Sequence, residues 1–326
     1  MKRNKNIDFK EICKGIKRGN IAALSRAITI TESDKDSDKK LAFKILNKLN
    51  SKKNTLRIGI TGVPGAGKST FIEAFGNYLV NLNKKLAVLT IDPSSNLSKG
   101  SILGDKTRMA TLSANKNVFI RPSPASNFQG GVGKNTREAI FLCESAGYDI
   151  ILIETVGVGQ NEINVGDMVD FFLLLKITGS GDELQGIKRG IIEMSDLIVI
   201  NKSDGDNVNK SIKAKNEFKL ALQLFPKKKS NWKPMVLTCS SIKSEGLDEI
   251  WECISEYVRL TKKNNYFQKN RIDQNKLWLL HVIDYSLRES FFSKKTVKIK
   301  LDNLIKKIEN ESISIFDANQ IILSEL

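Results

Sequence analysis

Between Gly62 and Ser69 the chain reads Gly-Val-Pro-Gly-Ala-Gly-Lys-Ser, preceded by the β-branched run Leu56-Arg57-Ile58-Gly59-Ile60-Thr61. This matches G-x-x-x-x-G-K-[ST] in the setting that gives the pattern meaning, a buried strand before it and an apolar helix opening at Thr70-Phe71-Ile72 after it. A strand that hands a glycine loop to a helix N-terminus is a building unit of α/β sheets, so the feature constrains the fold before any other residue is read. The chemistry needs these residue types. Gly62, Gly65 and Gly67, with Val63, Pro64 and Ala66 between them, let the backbone curl until its N–H groups converge on phosphate oxygens. Lys68 offers a point charge to the β- and γ-phosphates, the Ser69 hydroxyl can ligate Mg²⁺, and Thr70 continues the helix start with its partial positive charge. A nucleotide site is expected.

The base is read from Asn201-Lys202-Ser203-Asp204, which follows the apolar run Leu197-Ile198-Val199-Ile200. The Asp204 carboxylate, held at a strand rim, can accept from both N1–H and N2–H₂ of guanine. Adenine lacks that donor pair, and a site that leaves a buried carboxylate unpaired rejects it. Lys202 is expected along the base plane, with Asn201 bracing neighbouring loops. Thr238-Cys239-Ser240-Ser241, after strand-like Met235-Val236-Leu237, can present the Ser241 N–H to guanine O6, with Ser240 beside it. GTP and GDP are therefore the expected ligands.

Open α/β sheets deliver ligand-binding groups at the carboxyl ends of their strands. Asp92 ends the run Leu86–Ile91, Glu154 ends Ile150–Ile153, and Asp105 falls in the intervening loop. With Ser69 they form a set of hard oxygen donors for Mg²⁺, which keeps several waters and need not touch all of them. After Glu154 comes Thr155-Val156-Gly157-Val158-Gly159-Gln160. There Gly157 can place its N–H on the γ-phosphate and release it on hydrolysis, a two-state switch. Gln160 stands further from Gly157 than a water-orienting glutamine does in small GTPases. No residue announces itself as the hydrolytic group, and slow intrinsic turnover, on the order of 10⁻⁴–10⁻² s⁻¹, is expected.

The 326 residues allow one large α/β domain with helical additions, and 40% hydrophobic content suits a globule. The run Phe171–Leu175 is too short for a membrane span and reads as a buried strand. Met1–Asn6 is charged without an apolar core behind it, and Cys13, Cys143, Cys239 and Cys253 show no C-x-x-C pairing. A cytoplasmic location with reduced thiols follows as the expectation, and no membrane partner. A net charge of +16 would suit nucleic acid, but the lysines are dispersed and no aromatic-basic stripe accompanies them, so no nucleic-acid partner is expected.

Three regions are read along the chain. Residues 1–53 carry Phe9, Ile12, Ile16, Ile21, Leu24 and Ile28 at helical spacing, then a second helix with Ser37 as its candidate cap. In residues 54–262 strands alternate with helices, as in a mainly parallel, doubly wound sheet of the P-loop kind. Beyond the polar stretch Lys262-Lys263-Asn264-Asn265, residues 263–326 form an apolar helical segment that needs burial, which points to a dimerisation arm.

The chain resembles the MeaB/ArgK-like GTPases, the methylmalonyl-CoA mutase-associated chaperones. The resemblance extends over nearly the whole length. Its most specific stretches are Asp92-Pro93-Ser94-Ser95, Gly100–Met109, Phe119–Pro124, Glu154–Gln160 and Gly181–Lys188. The resemblance implies a homodimeric GTPase partnered with an adenosylcobalamin-dependent acyl-CoA mutase, where GTP binding and hydrolysis gate cofactor loading and protection. It implies too that Thr178–Arg189 is an additional loop bringing Asp182 and Lys188 near the nucleotide, and that Glu154 is the family's own choice at its position. Two alternatives remain: an ArgK-type kinase linked to amino-acid transport, for which no acceptor pocket is announced, and a nickel-enzyme maturation GTPase, for which Cys/His ligands at binding spacing are lacking.

Overall fold

The apolar runs become strands of one sheet in the computed structural model, which describes residues 8–33, 35–50, 54–92, 109–124, 131–155, 165–178 and 189–325. In chain order the strands are β1 (Leu56–Thr61), β2 (Leu86–Asp92), β3 (Val118–Pro124), β4 (Ile150–Glu154), β5 (Phe171–Lys176), β6 (Leu197–Ile200) and β7 (Met235–Thr238). They form a 7-stranded sheet in the order β3-β2-β4-β1-β5-β6-β7, with each neighbouring pair parallel. Parallel strands are covered on both faces, which is why they read as continuous apolar runs rather than alternating ones. Alternate residues serve opposite layers. Ala87, Leu89, Ile151, Ile153, Phe172 and Leu174 enter one core, while Leu86, Val88, Ile150, Leu152, Phe171 and Leu173 enter the other.

Helices fill both layers: α1 (Phe9–Lys17), α2 (Ile21–Thr31), α3 (Asp36–Lys48), α4 (Lys68–Asn81), the single turn α5 (Ala110–Ser113), α6 (Gly131–Ala146), α7 (Arg189–Met194), α8 (Val208–Leu222) and α9 (Leu247–Lys263). This is the mainly parallel P-loop architecture implied by the sequence. The N-terminal helices join the first core through Ile12, Ile16, Leu24, Ile28 and Ile45. Asp8 and Asn20 cap α1 and α2 by accepting from Lys10 N and Ala23 N at 2.9 Å. Ser37 does not cap α3. The helix begins two residues earlier than a Ser37 cap would place it, with Lys35 in the cap position and Asp36 and Asp38 in the first turn. Two carboxylates against the helix dipole supply what the hydroxyl would have, and Ser33 Oγ donates to Asp38 Oδ2 at 2.7 Å.

The polar stretch at 262–265 is a tight turn: α9 runs to Lys263, Asn265 takes φ 61°, and α10 (Tyr266–Ser293) begins at once. The chain divides into compact units Met1–Gln274 and Asn275–Leu326. Arg271, in the first unit, is bound by Asp170, accepting at 2.7 Å from Nε, and lies 3.7 Å from Glu144, which also pairs with Arg57 at 2.7 Å. The second unit holds the rest of α10 with α11 (Lys295–Glu309) and α12 (Ile315–Leu323), the helical C-terminal region that was expected. Among the described residues no helix is long and apolar enough to cross a membrane.

Candidate functional site

β1 lies between β4 and β5 and delivers the glycine loop to the carboxyl edge of the sheet. The exit is narrow. A Cβ on Gly62 would sit 2.3 Å from the carbonyl oxygen of Leu175 in β5, so only glycine lets the chain pass. At the other end Gly67 takes φ 83° as the N-cap of α4, and Phe71 N donates to Gly67 O at 2.8 Å to start the helix. Lys68 is buried and bends back over the loop, donating to Gly62 O at 2.7 Å and Val63 O at 3.3 Å. Ala66 is buried and Ser69 half-buried, whereas Pro64, Gly65 and Thr70 are exposed along the outer rim.

A second loop meets this one through a single side chain. Asn201 follows β6 and is 1% exposed. Its Nδ2 donates to Ala66 O at 2.9 Å, inside the glycine loop. Its Oδ1 accepts from Ser241 N at 3.3 Å, Ser241 Oγ at 2.7 Å and Cys239 Sγ at 3.4 Å, beyond β7. Three segments far apart in sequence thus share one amide. The Ser241 N–H, expected to face a guanine oxygen, is directed at Asn201 here. Lys202 takes φ 59° and is exposed, and this left-handed step turns the chain so that Ser203 N can donate to Cys239 O at 3.0 Å. Asp204 is half-buried and accepts from Ser240 Oγ, which fixes the carboxylate's orientation. Burial pushes the Cys239 thiol up to about 12, with Ser241 acting in the opposite sense through a hydrogen bond.

The carboxylates fall at strand ends. Glu154 closes β4, half-buried, in register with Ile60 of β1 on one side and Thr90 of β2 on the other. The backbone of Asp92 closes β2, while its side chain lies outside the described residues. Asp105, Gly157, Gln160, Asp182 and Lys188 also lie outside them.

The chain matches the model of the family described as methylmalonyl Co-A mutase-associated GTPase MeaB over residues 24–296. It belongs to the MeaB family. The matched range runs from α2 into α11 and takes in the glycine loop, Asn201–Asp204 and Ser240–Ser241. The methylmalonic aciduria type A homolog of Mus musculus, described as mitochondrial, is 43% identical over 92% of this chain and 75% of its own length. GTPase ArgK of Escherichia coli (strain K12) is 41% identical over 93% of this chain and 92% of its own. A crystal structure described as the LAO/AO transport system kinase superposes with a TM-score of 0.75 at 34% identity, covering 99% of each chain.

Other groups at this edge of the MeaB-family sheet escaped the sequence reading. Thr155 Oγ1 donates to Thr61 Oγ1 at 2.8 Å, tying the residue after β4 to the last residue of β1. Lys176 ends β5 with its side chain 2% exposed and its ammonium 5.8 Å from the centre of the Phe218 ring. The threonine pair could have been suspected from two hydroxyls at adjacent strand ends; a buried lysine closing an apolar run carries no local signal.

Proposed function

We propose that this chain binds and hydrolyses GTP, and that it serves as a chaperone gating adenosylcobalamin loading and protection of a cobalamin-dependent acyl-CoA mutase of the methylmalonyl-CoA mutase type. One observation carries the nucleotide half: Asn201 joins the glycine loop, the Asn201–Asp204 loop and the Ser240–Ser241 segment into one site. A phosphate cradle and a candidate base reader held by the same amide suit a single guanine nucleotide spanning both. The mutase half rests on the family match.

In this reading backbone N–H groups of the glycine loop and of the start of α4 receive the phosphates, and Lys68 exchanges its bonds with Gly62 O and Val63 O for the β- and γ-oxygens. Such an exchange costs little, because one charged donor trades carbonyl acceptors for anionic ones. Asp204, oriented by Ser240, accepts from N1–H and N2–H₂ of guanine, and Lys202 covers the base. Ser69, Asp92, Asp105 and Glu154 are hard oxygen donors suited to Mg²⁺, and Glu154 stands at the strand edge where the glycine loop emerges. The ion would neutralise charge on the β- and γ-phosphate oxygens. Gly157, Asp182 and Lys188 are assigned to the γ-phosphate side by family resemblance.

A homodimer is part of the proposal. Leu279, Leu280 and Leu287 of α10 are about 60% exposed, an apolar surface suited to a second subunit. A reducing cytoplasmic setting agrees with four free, buried cysteines. The test is GTP turnover by the purified protein, alone and with its host's cobalamin-dependent mutase, with mass measured in solution. Strong stimulation, abolished by Lys68→Ala without loss of fold, supports the chaperone. A slow rate that the mutase leaves unchanged, with no complex on a GTP analogue, refutes that half. Phosphate released without any phosphorylated protein distinguishes hydrolysis from an ArgK-type kinase.

A further inference from the structure

Two buried hydroxyls meet where β1 hands over to the glycine loop. Side chains alternate along parallel strands, and Ile58 and Ile60 of β1 and Ile150 and Leu152 of β4 enter the core layer that also holds Phe71, Ile72 and Phe75 of α4. Glu154, paired with Ile60, has the same parity and so stands on the α4 side of the sheet. The other parity faces away: a Cβ on Gly59 would meet Val165, Val169 and Phe172 of the opposite layer. Thr61 and Thr155 share that second face, and both are fully buried. Thr155 Oγ1 donates to Thr61 Oγ1 at 2.8 Å, and Thr155 N donates to Ile60 O at 3.0 Å. The bonds joining the two strands therefore continue one residue beyond Glu154 and end at the residue before Gly62. Valines would fill the same space with no hydroxyl to satisfy, and a buried hydroxyl left unpaired is destabilising. What the pair adds is direction, because its bond holds both side chains in one rotamer and fixes the spacing of the two backbones.

Glu154 lies between anchors on every side. It is in register with Thr90 of β2 and Ile60 of β1, and Thr155, the next residue, is pinned by both its N–H and its hydroxyl. β1 releases the glycine loop at Gly62, two residues beyond Ile60, and that loop leads into Lys68 and Ser69 at the start of α4. We propose that Thr155 is a positioning residue for GTP hydrolysis: through its bond to Thr61 it fixes the height of the Glu154 carboxylate against the glycine loop. This inference rests on the GTPase reading above and on Glu154 as an oxygen donor to Mg²⁺. Thr155 acts from the face opposite α4, in the way that outer partners of metal-side groups act, by orienting a neighbour. Its effect is expected in turnover and in the metal requirement rather than in the affinity for nucleotide alone.

The experiment compares wild type, Thr155→Val, Thr155→Ser, Thr61→Val and the double valine variant. It reads GTP turnover, its Mg²⁺ dependence, GDP affinity with Mg²⁺ and in EDTA, and melting temperature. Thr155→Val is expected to lower kcat about tenfold and to raise the Mg²⁺ concentration for half-maximal rate severalfold, with GDP affinity in EDTA within about twofold of wild type. Thr155→Ser keeps the hydroxyl and retains most of the rate. The double variant is no slower than Thr155→Val, because both substitutions remove one contact. If Thr155→Val does not fold, Thr61→Val removes the same bond from the other strand and takes its place. A folded variant lacking the bond but with wild-type kcat and Mg²⁺ dependence overturns the proposal, and so does a Thr155→Ser protein as slow as Thr155→Val. A loss of rate matched by equal loss of GDP affinity in EDTA and of melting temperature marks a merely structural role and overturns it too. A wild-type protein that hydrolyses no GTP refutes the GTPase reading instead. The gain in GDP affinity on adding Mg²⁺ then decides the positioning of Glu154, and the same gain in Thr155→Val as in wild type overturns it.

Discussion

Asn201→Ala removes the one side chain that joins the glycine loop to both base-side segments. The wild-type amide makes bonds to Ala66 O and Ser241 N and Oγ within 3.3 Å, and is 1% exposed, so water does not replace them. Each such bond contributes about 1 kcal/mol net, and a buried group left unpaired costs about 1–3 kcal/mol. Ala66 O and Ser241 N are stranded together, giving a loss of about 3–5 kcal/mol. At ~2–4 °C per kcal/mol for a large domain, the melting temperature falls by roughly 6–12 °C at the low end of that range. Because the brace also sets the distance between the phosphate cradle and Asp204, GDP affinity is expected to fall at least tenfold. Ser241→Ala is the internal control: it deletes one hydroxyl contact, keeps the backbone N–H, and should cost about 1 kcal/mol. Thermal melts with and without Mg·GDP and calorimetric titration make the measurement. An Asn201→Ala protein that melts within about 2 °C of wild type and binds GDP normally refutes the brace as the organising element of the site.

Asp204→Asn replaces one acceptor oxygen with a donor at the guanine edge; GTP and GDP affinity should drop by at least tenfold while ATP affinity stays low, measured by competition titration, and equal wild-type affinity for ATP and GTP contradicts the base assignment. The thiols of Cys239 and Cys253 are pushed up to about 12 by burial, against an ordinary value of 9.0. A folded value above the unfolded one gives stability that is full below pH 9 and is lost as pH rises toward about 12, by about 1.4 kcal/mol per pH unit for each thiol. Urea midpoints at pH 8 and pH 10 test this, and a thiol reagent at pH 8 should label none of the four cysteines until the protein is unfolded.

What was legible in the sequence is what physics writes locally. The glycine loop is written in consecutive residues because the exit from β1 admits no side chain at Gly62, and buried parallel strands announce themselves as unbroken apolar runs. Asn201 was readable as a brace for the same reason: its tetrapeptide fixes which group faces inward. Ser37 misled because a hydroxyl near a helix start is only one way to meet the dipole, and Asp36 and Asp38 meet it with charge. Lys176 was invisible because the run before it explains the strand completely.

The least legible part joins the foot of α10 to the sheet. Arg57 and Glu144 are 87 residues apart and Asp170 and Arg271 are 101 apart. Each looks like a solvated surface charge in its own segment, yet Glu144 and Asp170 have side chains 1% exposed. Buried charges are tolerated only when matched, and stripping one partner from such a pair costs about 3–5 kcal/mol. Asp170 also accepts from Arg57 N at 2.8 Å, so the start of β1 and the residue before β5 are locked at the edge opposite the glycine loop. At the other end Gly62 follows β1 beside Leu175 of β5, where a Cβ would meet the Leu175 carbonyl oxygen at 2.3 Å. The strands that must hold their register for the glycine loop to form are the ones pinned at the far edge by charges that only the fold brings together.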